Sequence, residues 1–134
     1  MKKLLILLLF SFPLFAEEKI KLLCEGTMFT KTDNKADGAY KKSMVLKIDD
    51  KGINVDDRRY ERTSIQKDSL YEEYTNYEKD EDKIYYYGEG GPAPIDVEGN
   101  INRMTGEITE RSYIHILEWS SYFEGKCRKA ERAF

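Results

Sequence analysis

Histidine occurs once, as His115, and tryptophan once, as Trp119, in a chain of 134 residues that holds two cysteines. Those scarcities exclude several chemistries. A cysteine pair needs further ligands to bind a metal, and one imidazole is too few to complete the set. A nucleophilic triad needs a nucleophile, a base and an orienting group within reach, and neither cysteine has a histidine near it in sequence. No Gly-x-Ser-x-Gly elbow is present. His115 itself reads as a strand residue sharing a face with Tyr113 and Leu117. Basic residues are also short: 22 Lys and Arg face 25 Asp and Glu. A mildly acidic chain has no electrostatic reason to hold nucleic acid or anionic lipid. No glycine-rich phosphate cradle leads a strand into a helix, because Gly88 to Gly91 runs into Pro92-Ala93-Pro94. No internal repeat, low-complexity tract or heptad pattern occurs.

Long apolar runs are missing after residue 16, so no later segment reaches the roughly 20 apolar residues of a membrane-spanning helix. The first 16 residues differ from the rest. Lys2 and Lys3 precede an apolar run from Leu4 to Phe12, and Ala16 stands just before two glutamates. This is the order of a bacterial secretory signal peptide, with cleavage expected after Ala16. Residues 17–134 then form a single β domain, periplasmic or secreted. The leader carries two lysines and no acid, so its loss takes the formal net charge from −3 to −5.

What is present points to strands. The ten tyrosines lie outside the leader, and tyrosine favours a half-buried pleated surface. Ile20, Leu22, Cys24, Gly26 and Met28 alternate, and so do Phe123, Gly125 and Cys127. An exported chain meets oxidising conditions, so Cys24 and Cys127 are expected to pair and fasten the first strand to the last. Asp50-Lys51-Gly52 and the Met104-Thr105-Gly106 reversal read as hairpin turns. Thr32 to Gly38 reads as a solvated loop; Lys35 and Met44 occupy positions where a calcium loop needs oxygen ligands. Asp56 to Arg59 reads as a charged connection. Tyr60 to Tyr77 and Lys83 to Gly88 read as a long tyrosine-rich hairpin with an acidic tip. The expected fold is all-β: an antiparallel meander of about eight strands, barrel or sandwich, closed by one disulfide.

Chemistry-bearing sites are few. Glu118 beside Trp119 is the most suggestive carboxylate, but strand neighbours point to opposite faces. No catalytic, metal or cofactor site is expected. A recognition surface is expected instead on Tyr71, Tyr74, Tyr77, Tyr85 and Tyr87, with Tyr86 turned the other way.

Cys24-Glu25-Gly26, the Arg103 to Gly106 hairpin, Gly125-Lys126-Cys127 and the terminal Phe134 together resemble small exported bacterial β proteins. The chain is also similar to periplasmic lysozyme inhibitors in size, export and early cysteine, although their Ser-Gly-rich loop has no counterpart here. A lipocalin's Gly-x-Trp near the first strand is missing. These likenesses imply a non-enzymatic exported binding protein for a small apolar ligand or a protein partner. The alternatives are a structural or assembly component of the cell envelope and an inhibitor of a secreted hydrolase such as lysozyme.

Overall fold

The computed structural model describes residues 19–130, except 69 and 93. The expected leader and the terminal Phe134 lie outside the described residues. Ten strands are present among the described residues, β1 (Ile20–Thr32), β2 (Lys35–Ile48), β3 (Gly52–Val55), β4 (Arg58–Glu61), β5 (Ser64–Lys67), β6 (Glu72–Lys79), β7 (Lys83–Gly90), β8 (Asp96–Asn102), β9 (Glu107–Ile114) and β10 (Trp119–Lys129). They form one antiparallel sheet in the order β4-β3-β2-β1-β10-β9-β8-β7-β6-β5. Every neighbour in that order is also a neighbour in sequence except β1 and β10. Their pairing sets Cys24 directly opposite Cys127, and the two are disulfide-bonded.

Ten strands replace the expected eight for local reasons. The solvated loop at 32–38 contracts to a two-residue turn, because Asp33 (φ 52°) and Asn34 (φ 64°) both adopt the left-handed region. Short Asx side chains tolerate that conformation and make a hairpin turn whose twist matches the strands. The charged stretch after Val55 is a turn only at Asp56-Asp57; Arg58 and Arg59 belong to β4. Tyr60 to Tyr77 is not one strand. Turns at Arg62-Thr63 and around Leu70 divide it into β4, β5 and β6, and Tyr60 is buried on β4.

The sheet curls into a nearly closed barrel, and side chains rather than a ladder close it. The Thr75 hydroxyl accepts from the Glu61 N–H and donates to the Glu61 carbonyl, both at 3.2 Å. The Tyr77 hydroxyl donates to the Asp49 carbonyl at 3.2 Å, and Lys79 lies 3.7 Å from Asp50. Asp49 in turn accepts from Arg59, whose guanidinium pulls the Asp49 carboxyl down to about 2. Burying a backbone edge without partners costs on the order of 1–3 kcal/mol per group, so these hydroxyls serve where strand pairing stops.

The interior is stacked in tiers that the register defines. One tier holds Gly26, Gly125, Ile108, Ile101, Ile84 and Lys79, each directly opposite the next. The next holds Met28, Phe123, Glu110, Gly99, Tyr86 and Tyr77. Phe123, Tyr86 and Tyr77 are fully buried, and burying each such side chain is worth roughly 2–3 kcal/mol. Leu46, Ile48, Ile53 and Val55 from β2 and β3 complete the core.

The disulfide closes a loop with a sequence separation of 103, for which the chain-entropy model gives about 4–5 kcal/mol. A Cys24→Ala, Cys127→Ala double variant is expected to lose most of that in a denaturant melt. An unchanged midpoint would contradict it.

Candidate functional site

Beyond the aromatic tier the inward side chains become small. The third tier reads Ser121, Ser112, Val97, Gly88, Thr75 and Ser64 across β10 to β5. With so little volume there, the interior is not filled. A cavity of ≈ 320 Å³ opens, lined among others by Glu110, Ser112, Ser121, Trp119, Lys42 and Arg58. A second recess of ≈ 380 Å³ shares Asp57, Arg58, Tyr60, Ile95 and Val97 with it and extends to Gln66 and Glu73. Gln66, Glu73 and Gly90 are in register one tier beyond Ser64, Thr75 and Gly88, so this end of the barrel is its open mouth.

Glu110 sits at the boundary between filled core and cavity. It is 8 % exposed, and its Oε1 accepts from the Tyr86 hydroxyl at 2.8 Å. Tyr86 comes from β7 and Glu110 from β9, with β8 between them. The ring crosses β8 at Gly99, which is directly opposite both residues. A Cβ built at Gly99 would fall inside the Tyr86 ring, so only glycine lets the hydroxyl reach the carboxylate. Burial raises the Glu110 pKa, opposed by the Tyr86 hydrogen bond and by the charges of Lys42 and Arg58. Burial likewise holds Tyr86 well above the ordinary phenol range, with the Glu110 charge adding to it. Tyr60, beside the same cavity, is pushed up to about 12, mainly by burial.

The outer face carries a different feature. Phe29, Tyr122, Arg111, Glu98 and Tyr87 form one register row across β1, β10, β9, β8 and β7. They line a shallow groove of ≈ 840 Å³. The Arg111 guanidinium lies 5.4 Å from the Tyr122 ring centroid, a cation–π distance.

Of the five tyrosines expected on one surface, the structure places three on the outer face. Tyr85 and Tyr87 face outward from β7 while Tyr86 faces inward, as alternation requires. Tyr74 joins them from β6, its ring 6.0 Å from that of Tyr87. The Tyr87 hydroxyl donates to Glu89 at 2.7 Å, which raises its pKa. Tyr77 is a correction. It lies three positions from Tyr74, an odd spacing that puts it on the opposite face, and it is fully buried. Tyr71 precedes β6 and is half-buried beside Leu70, Gly90 and Gly91. His115 is not in a strand: it begins the β9–β10 turn, and its Nε2 lies 2.7 Å from Asp96 Oδ2. Glu118 and Trp119 do part company. Trp119 lines the cavity, whereas Glu118 sits in the turn at φ 48° with its carbonyl accepting from Asp33.

Glu110 is the residue that sequence reasoning missed. A signal existed: Glu110 is two residues from Ile108, so strand alternation places both on the inner face. Comparison with protein-family models, curated proteins and solved structures finds no match. Among the described residues no group of three or more His, Cys, Asp or Glu is placed to hold a metal.

Two outcomes follow from this geometry. Gly99→Ala must displace the Tyr86 ring, and a loss on the order of 3 kcal/mol is expected; a melt within about 0.5 kcal/mol of wild type would contradict the crossing. Glu110 has a raised folded-state pKa, so the folded chain holds its proton more tightly than the unfolded one. Its contribution to stability is therefore greatest in acid and falls as pH rises through the window between the unfolded and folded values. Glu110→Gln keeps an acceptor for Tyr86 and removes that slope. Melting temperatures across this window are expected to converge in acid and favour the variant near neutrality; parallel profiles would contradict the burial.

Proposed function

We propose that this chain is an exported, non-enzymatic binding protein that holds a small molecule in the open half of its barrel. The observation that carries the reading is the row of small side chains immediately above Glu110. A barrel that only had to be stable would fill that tier, because unfilled space costs packing energy. Here the space adjoins a buried carboxylate that keeps acceptor capacity beyond its bond to Tyr86. Pre-formed concave sites of this kind, mostly apolar with a few placed polar groups, are the usual form of small-molecule pockets. Export is supported by the leader-like order of residues 1–16 and by a disulfide, which is compatible with an extracytoplasmic protein. The non-catalytic reading rests on the single histidine, which stands in the β9–β10 turn and does not line the cavity where Glu110 lies.

A second reading places a protein partner on the convex face. The row Phe29, Tyr122, Arg111, Glu98 and Tyr87 favours it, because aromatic rings and arginine are enriched at interface centres.

Native mass spectrometry of the protein purified from its own host tests both. The cavity reading expects a retained small-molecule adduct that Ser112→Phe, which fills the tier above Glu110, abolishes without unfolding the barrel. A clean wild-type mass, or an adduct indifferent to Ser112→Phe, would overturn it. A heavier complex that dissociates in Tyr87→Ala would favour the convex face instead.

A further inference from the structure

The cavity combines a net acidic lining with aromatic side chains, and that combination restricts what fits. Glu110 is the one buried charged residue in it. The Tyr86 hydroxyl occupies Oε1 at 2.8 Å, and Oε2 has no hydrogen bond among the described residues. No enclosed side-chain oxygen or nitrogen among those residues lacks a partner, so Oε2 opens into the cavity. Asp56 and Asp57 add two carboxylates to the lining, and Lys42 and Arg58 are its two cations. One oxygen of Asp56 accepts from the Val45 N–H at 2.9 Å. Arg58 is exposed and directly follows the two aspartates in sequence. The adjoining recess carries Glu61, Glu73 and Glu89 against one further cation, Arg59, which is itself paired with Asp49 and Glu61. Acid therefore outnumbers base both in the cavity and at its mouth. Tyr40, Tyr60 and Trp119 supply three aromatic rings to the cavity lining, with Met28 and Met44 beside them.

We infer that the cavity takes a small organic cation of the alkylated-ammonium class, its charge met by Glu110 and by the aromatic rings. This rests on the cavity reading above and names its ligand class. An anion would bring like charge beside a buried carboxylate, which costs desolvation without a compensating partner. A strongly hydrated cation, whether a metal ion or a primary ammonium, needs several acceptors to replace its water shell. Glu110 offers one free oxygen. An alkylated ammonium gives up less water, because its carbon substituents cover the charge. The negative faces of aromatic rings attract such a cation, and its methyl groups pack against thioether and valine side chains. Lys42 and Arg58 oppose it, but the three carboxylates of the same lining outnumber them. The acids of the adjoining recess draw a cation toward the mouth.

Choline is the probe. It is compared with the neutral alcohol in which carbon replaces its nitrogen, and with ethanolamine, which carries the same charge without methyl groups. Each is titrated into the full mature protein and followed by amide NMR shifts at Ser112 and Val97. Choline is expected to bind at least roughly tenfold more tightly than the alcohol, and more tightly than ethanolamine. Glu110→Gln, which keeps an acceptor for Tyr86, should remove most of the advantage over the alcohol. Trp119→Leu should shrink the advantage over ethanolamine. If that variant does not melt cooperatively, Tyr40→Leu, at a half-exposed position, takes its place. If the alcohol binds as tightly as choline, charge does not select the ligand, and the class is overturned while the cavity reading stands. Ethanolamine matching choline, or Glu110→Gln leaving choline binding unchanged, likewise overturns the class. If no probe shifts those amides but the host-purified protein carries an adduct lost in Ser112→Phe, the class is again overturned alone. Failure of both the probes and the adduct overturns the class and the cavity reading together.

Discussion

The pairing of β1 with β10 is the constraint on which everything else depends. Without it the chain is two separate meanders, β1 to β4 and β5 to β10, and the second has nothing to curl against. With it, strands from opposite ends of the described chain lie side by side over eleven residue pairs, Leu22↔Lys129 to Thr32↔Trp119. Contacts so distant in sequence must overcome a large loop-closure entropy, and the Cys24–Cys127 bond removes much of that cost. The bond also locks register. A slip by one residue would put Met28 and Phe123 on opposite faces of the sheet, turning one of them out to solvent. A slip by two would keep the faces but misalign the tiers, setting Ser121 rather than Phe123 opposite Met28 and opening the core.

Register therefore reaches the site directly. Glu110 is carried to the rim of the packed core because it is opposite Phe123 on one side and Gly99 on the other. Gly99 leaves room for Tyr86, and Tyr86 supplies the hydrogen bond that makes a buried carboxyl tolerable. Above that tier, serine, threonine and glycine leave space that valine or leucine would have filled. The same ladder that packs one end of the barrel leaves a cavity toward the other. The open half owes its polarity to side chains from strands that are not neighbours: β2, β4 and β9.

Much of this architecture was legible in the chain itself. Alternation located the inner faces of β1, β7 and β10, and it sorted Tyr86 from Tyr85 and Tyr87. Gly106, at φ 81°, marked the β8–β9 hairpin, and the cysteines marked the seam. Less legible was the stretch from Tyr60 to Tyr77, where β-forming residues run on through turns. Those turns use Thr63 and other residues without a glycine or proline, and tertiary closure against Asp49 and Glu61 decides where the strands break. Tyr77 does not belong with the outward tyrosines, because its odd spacing from Tyr74 turns it to the inner face. Glu110 is hard to distinguish in the sequence because a glutamate in a charged chain reads as solvated surface. Its burial depends on Tyr86 and Gly99, which are brought to it only by the ladder.

The central claim is that Glu110 is a buried, ionisable carboxyl at the floor of an accessible cavity. The most direct measurement is the pH titration of its side-chain carboxyl carbon by NMR. A midpoint clearly above the ordinary glutamate value, together with a reciprocal change at the Tyr86 ring, is the predicted result. A midpoint at that value would place the carboxyl in water, and one below it would mean that the nearby cations outweigh burial; either result contradicts the account.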